Sequence, residues 1–145
     1  MNFYHKFFFF LFLIIPNISA DELTIKLIGQ NKAGILNLAI YDNAEAYDRS
    51  VKGEGRSEGG FFSGIDSFIE LKESHEFVIN LPEGIYAIAL FIDANKNMKI
   101  DKNFLGIPKE QYGFSNNAMG TLSGPSFEQA KFQVKGNSIQ NIKLK

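Results

Sequence analysis

Leu81-Pro82-Glu83-Gly84-Ile85-Tyr86-Ala87-Ile88-Ala89-Leu90-Phe91-Ile92 is the stretch on which the fold reading turns. Pro82 presets a turn because its ring fixes φ, and Gly84 permits a positive φ that a side chain would resist. Tyr86 should then re-enter the core on the strand that follows. Ile85 to Ile92 is almost unbroken in apolar residues. Such a run suits a central strand covered on both faces, or one whose outer face meets a loop.

Working outward, the rest of the chain also reads as β. Leu23-Thr24-Ile25-Lys26-Leu27 alternates apolar and polar, the period of a strand with one buried face. Gly29 to Gly34 is turn-rich, and Ile35 to Tyr41 is a second run. Further strands are expected at Ser67 to Leu71 and Glu76 to Leu81. Ala130 to Val134 and Ser138 to Leu144 are split by Lys135-Gly136-Asn137, a hairpin signal. Many short strands with Gly and Pro turns predict an all-β, antiparallel β-sandwich. The Leu81–Tyr86 turn is similar to one in transthyretin-like (prealbumin) and carboxypeptidase-regulatory-type sandwiches, which implies a transthyretin-like layout with long ordered loops. Two stretches break the strand pattern. Asn43 to Gly60 is polar and Gly-rich, expected as a mobile loop that opens with a helical turn around Ala44–Tyr47. Asn103 to Phe127 carries Phe104, Ile107, Pro108, Tyr112, Phe114, Pro125 and Phe127, so it is expected to pack back on the sandwich.

The N-terminus has the parts of an export signal. Met1 to Lys6 is weakly basic, Phe7 to Ile15 is apolar, and Pro16 is followed by Asn17-Ile18-Ser19-Ala20 with a cut expected after Ala20. The apolar run is far shorter than the roughly 20 residues of a spanning helix. The expected division is therefore a secretory signal peptide at 1–20 and a single β-sandwich domain at 21–145, periplasmic or secreted, with no transmembrane segment after cleavage. The chain has no Cys, which excludes a cysteine-linked lipid anchor, disulfides and thiol chemistry. The formal charge of −1 offers no case for nucleic acid.

Asp93-Ala94-Asn95-Lys96-Asn97-Met98-Lys99-Ile100-Asp101 is the constellation with most chemical content. Side-chain oxygens fall at loop positions 1, 3, 5 and 9, the spacing by which a tight loop wraps Ca²⁺, and Lys99 would add its backbone carbonyl. Met98 stands where Gly normally makes the sharp turn, and Phe104 where a bidentate Glu normally closes the loop. Affinity should therefore lie near about 10⁻⁴–10⁻³ M, as in extracellular modules. The competing reading is a loop stapled by its own Asx side chains, with no ion.

Catalysis finds little support in the sequence. His75 is the single His after the leader, placed in a polar turn, and no G-x-S-x-G elbow is present. A zinc site would need more nitrogen or sulfur ligands. Tyr112, Phe114, Ser115, Asn116 and Asn117 form a possible ligand or partner loop. The alternative there is that Gly106, Gly113 and the Asn pair form turns while the aromatics anchor in the core.

Together, Leu81-Pro82-x-Gly84-x-Tyr86, Asp93-x-Asn95-x-Asn97, Asp101-x-Asn103-Phe104-x-Gly106-Ile107-Pro108, Tyr112 to Asn117 and Gly124-Pro125-x-Phe127 resemble a family of small exported bacterial β-domains of unknown function. The resemblance implies bacterial origin and an envelope or secreted location. In that family the loop usually has Gly at the position of Met98. The leading expectation is a non-enzymatic module that binds an unknown protein or envelope component. One alternative is an envelope enzyme acting on carbohydrate through paired carboxylates, and another is a structural subunit joined through an open sheet edge.

Overall fold

The computed structural model describes residues 20–54, 62–121 and 123–145. Residues 1–19 of the expected leader and 55–60 of the expected mobile loop lie outside them.

Two sheets face each other across one core. The first has strand order β4-β1-β8, built from β1 (Asp21–Ile28), β4 (Ser74–Leu81) and β8 (Ser138–Lys143). The second runs β3-β2-β5-β6, from β2 (Gly34–Tyr41), β3 (Ser63–Ile69), β5 (Gly84–Asp93) and β6 (Tyr112–Phe114). A further short strand, β7 (Phe132–Val134), joins the same edge of β5 at Gly84–Tyr86, beside the Ala89–Phe91 segment that β6 occupies. Alternation decides what each strand contributes. Leu23, Ile25 and Leu27 of β1 meet Leu36, Leu38 and Ile40 of β2 and Ile88, Leu90 and Ile92 of β5, all fully or nearly fully buried. At roughly 1.5–3 kcal/mol per buried side chain, this inter-sheet layer is the main source of stability.

The continuous apolar run of β5 has a simple cause. Its large residues, Tyr86, Ile88, Leu90 and Ile92, face the other sheet, while Ala87 and Ala89 point outward beneath two short helices. Those helices are α1 (Ala44–Arg49) and α2 (Phe127–Ala130), and they bring Tyr47, Phe127 and Ala130 onto Ala39, Tyr41 and Ala87. Asn43 caps α1, its Oδ1 accepting from Ala46 N at 3.0 Å. Asp48 Oδ1 accepts from Phe127 N at 3.0 Å and so ties one helix to the other. The strand is covered on both faces, as its composition requires. Tyr86 Oη donates to Pro82 O at 3.0 Å, which closes the turn that leads into it.

Several sequence expectations are corrected. The strand expected at Ser67 to Leu71 begins four residues earlier, at Ser63. Ala130 ends α2 and is not part of a strand. The expected hairpin at Lys135–Asn137 does not form, because β7 pairs with β5 in one sheet and β8 with β1 in the other. Nor is the sandwich wholly antiparallel: β8 runs parallel to β1, pairing Leu23 with Ser138 through Ile28 with Lys143. Among the described residues, no helix is long and apolar enough to cross a membrane.

Candidate functional site

The end of β5 carries the carboxylate loop. Asp93 is fully buried, and its carboxylate accepts from Asn97 N at 3.2 Å and Met98 N at 2.7 Å. Asn95 Oδ1 accepts from Asn97 N at 3.1 Å, and Asn97 Oδ1 from Lys99 N at 2.9 Å. The amide nitrogens of Asn95 and Asn97 both donate to the Asp101 carboxylate, the former at 2.6 Å. The four side chains expected to face an ion thus converge, and their oxygens accept N–H donors of the loop itself. Lys96 and Met98 adopt positive φ, 62° and 64°. For a non-glycine residue that conformation is uncommon and has to be held by its surroundings. The Asx network does the holding that Gly at position 98 would otherwise make unnecessary.

Glu110 completes the cluster. It accepts from Ala94 N at 3.1 Å and from Asp101 N at 3.2 Å, locking the two ends of the loop together. Partial burial raises its pKa above the usual carboxylate range, the two backbone N–H donors pull it back, and the nearby charges of Asp93 and Asp101 push it up again. Among the described residues, no group of three or more His, Cys, Asp or Glu side chains is arranged to hold a metal ion.

From this base a second loop projects. Lys109 N donates to Asp101 O at 2.8 Å, and Lys102 bridges to Pro108. Asn103 organises the turn: its N–H donates to Ile107 O, and its Oδ1 accepts from Leu105 N at 2.9 Å and Ile107 N at 3.0 Å. Gly106 takes the positive φ that closes it. The result displays Phe104, Leu105 and Ile107 at 95%, 68% and 53% exposure. The expectation that this part of the Asn103–Phe127 segment packs back on the sandwich is therefore wrong for Phe104 and Ile107. The hydrogen bonds of Asn103 hold the loop in shape. The expectation does hold for Pro125 and Phe127, which are buried.

Tyr112 and Phe114 are half-buried on β6, and the side chains of Ser115, Asn116 and Asn117 hydrogen-bond to neighbouring elements of the fold. Ser115 is fully buried, accepting from Ile88 N at 2.8 Å and donating to Ala130 O at 2.6 Å. Asn116 donates to Lys131 O at 2.8 Å and exchanges hydrogen bonds with Gln140. Asn117 Nδ2 donates to Asn141 O at 2.9 Å, and its Oδ1 accepts from Lys143 N at 2.7 Å. One amide thus substitutes for a neighbouring strand along the outer edge of β8. Asn116 and Asn117 both hold positive φ, which lets consecutive side chains reach different elements.

Residues 25–142 match the family described as an uncharacterised protein conserved in bacteria (DUF2141). The chain belongs to that family. No curated protein and no solved structure matches it.

In this member of the family, two positions that shape the site carried little signal in the sequence. Glu110 stands nine residues beyond Asp101, outside any loop motif, and reaches the cluster only because the projecting loop folds back between them. Gly34 lies at the start of β2, where a Cβ would come within 2.6 Å of Asp93 O. His75 is also placed differently from expectation. It belongs to β4, not to a polar turn, and stacks on Phe77 with Nε2 2.7 Å from Gln30 Oε1 and 3.0 Å from Glu70 O.

Proposed function

We propose that this chain is an exported, non-enzymatic β-sandwich module, transthyretin-like in layout, that binds an envelope component through the loop from Lys102 to Pro108. The observation that carries the proposal is the display of Phe104, Leu105 and Ile107 on a turn stapled by Asn103. Exposed apolar side chains on a pre-shaped loop lose little conformational freedom on binding, which favours recognition. The enzymatic alternative needs two carboxylates free to face a substrate. The carboxylates drawn together here, Asp93, Asp101 and Glu110, are occupied by the loop's own N–H donors. The test compares capture from an envelope fraction by the purified protein and by a triple F104S/L105S/I107S variant. The variant should melt at the same temperature and lose capture. Equal capture by both would refute the proposal.

Weak Ca²⁺ binding at Asp93, Asn95, Asn97, Lys99 and Asp101 forms a subordinate part of the same proposal. It rests on the oxygen spacing of the loop. An ion would have to compete with the N–H donors already held. With a Kd of about 10⁻⁴–10⁻³ M, about 10 mM Ca²⁺ should add roughly 1.4–2.7 kcal/mol and raise Tm by several degrees. A Tm that stays put, with Mg²⁺ as control, removes Ca²⁺ from the account.

A further inference from the structure

We propose that the component met by the Phe104–Ile107 tip is an anionic lipid surface, an inference that rests on the reading of this loop as a binding element. Charge distribution singles out lipid. Along residues 94–109 the exposed charges are Lys96, Lys99, Lys102 and Lys109, all positive. The one acid in that range, Asp101, is partly buried and bonded to the amides of Asn95 and Asn97. A chain with a formal charge of −1 therefore concentrates cations around its displayed apolar residues. Lys102 and Lys109 stand at the base of the tip, since one bridges to Pro108 and the other donates its N–H to Asp101 O. Lys99 belongs to the loop fastened to that same Asp101, while the Lys96 ammonium lies 5.2 Å from the centre of the Phe68 ring on β3.

An apolar wedge on a lysine-rich segment is the kind of element that enters the boundary between headgroups and acyl chains. The apolar side chains leave water while the cations stay among anionic headgroups. Lysine suits this position because its flexible stem can lie along the apolar layer with the charge held outward. The size of the tip points the same way. Three side chains on a narrow turn fall well short of the roughly 800 Å² per partner that a stable protein interface buries. A membrane sets no such minimum, and affinity there grows with each apolar anchor and each cation.

The chain contains no Trp, so Phe104→Trp places a single indole at the tip. The F104W protein is mixed with vesicles of neutral phosphatidylcholine, or with vesicles in which roughly a third of the lipid is phosphatidylglycerol. A blue shift and co-sedimentation are expected with the anionic vesicles and not with the neutral ones, weakening as salt rises from about 50 to 500 mM. At low salt, K102Q and K109Q should each weaken binding about fivefold, and L105S/I107S in the F104W background should abolish the shift with Tm unchanged. Absence of any shift with anionic vesicles overturns the inference. If tip-dependent capture of an envelope protein is found instead, lipid is wrong and the binding loop stands. If neither vesicles nor envelope components respond to the tip variants, both are wrong.

Discussion

Glu110 shows how a single residue acquires a role from its neighbours. Its carboxylate accepts from Ala94 and Asp101 while lying near the charges of Asp93 and Asp101. Partial burial, the largest of these effects, leaves its pKa raised above the ordinary 4.5. The folded protein thus holds this proton more tightly than the unfolded chain does. The sign follows: the contribution is fully present below the ordinary value and is lost as pH rises through the raised one. Urea midpoints measured from about pH 4 to 7 should therefore carry a small downward component that E110Q removes. An identical pH profile for the two proteins would contradict that account. The residue could not be singled out in advance, because nothing local marks it. Asp93, Asn95, Asn97 and Asp101 were legible since their spacing is itself the signal, although spacing cannot say whether N–H donors or an ion will occupy the oxygens.

Strands were legible where composition leaves one solution. The apolar run of β5 and the alternation of β1 became what their residues demand, whereas Gly84 does not take the positive φ read for its turn and instead leaves room for the Tyr86 ring, which a Cβ would meet at 3.1 Å. Pairing was another matter. Lys135-Gly136-Asn137 has hairpin chemistry, and Gly136 does take positive φ, yet the turn carries the chain from one sheet to the other. A short turn constrains backbone direction and not partner. The partner is decided by the free stretch of β5 edge at Gly84–Tyr86, a tertiary fact. The projecting loop misled for a related reason, because Asn103 supplies with hydrogen bonds the anchoring that Phe104 was expected to supply with burial. Gly34 belongs at this scale too, since it lets β2 start against the end of β5. A Cβ there would meet Asp93 O at 2.6 Å and Ile92 Cγ2 at 2.9 Å. Gly34→Ala should cost about 1–3 kcal/mol, because the obstacle is backbone that must move. A thermal melt checks this, and an unchanged Tm would show that the two strands can separate there at no cost.

At the scale of the whole molecule, division of labour between the two sheets is the main result. In the sheet containing β5, the middle of β2 and β5 is covered by the other sheet on one face and by α1 and α2 on the other, while β3 stays largely exposed, and the carboxylate loop and the tip sit at one end. The three-stranded sheet closes the core from the far side. Class and core were readable from composition and period. The parallel register of β8 was not, because a strand's own residues say little about the direction of its neighbour. That register has a consequence for how the chain comes together. Strand β1 occupies Asp21–Ile28 and its parallel partner ends at Lys143, so the widest separation along the sequence is bridged inside one sheet. A chain delivered from its N-terminus forward cannot complete that sheet until β8 arrives. Until then β1 keeps one edge open, and Leu23, Ile25 and Leu27 lack Ile142 beside them in the core. Such distant closure is slow, because the entropy of joining the ends is lost before contacts compensate for it. Folding of this protein thereby waits for β8.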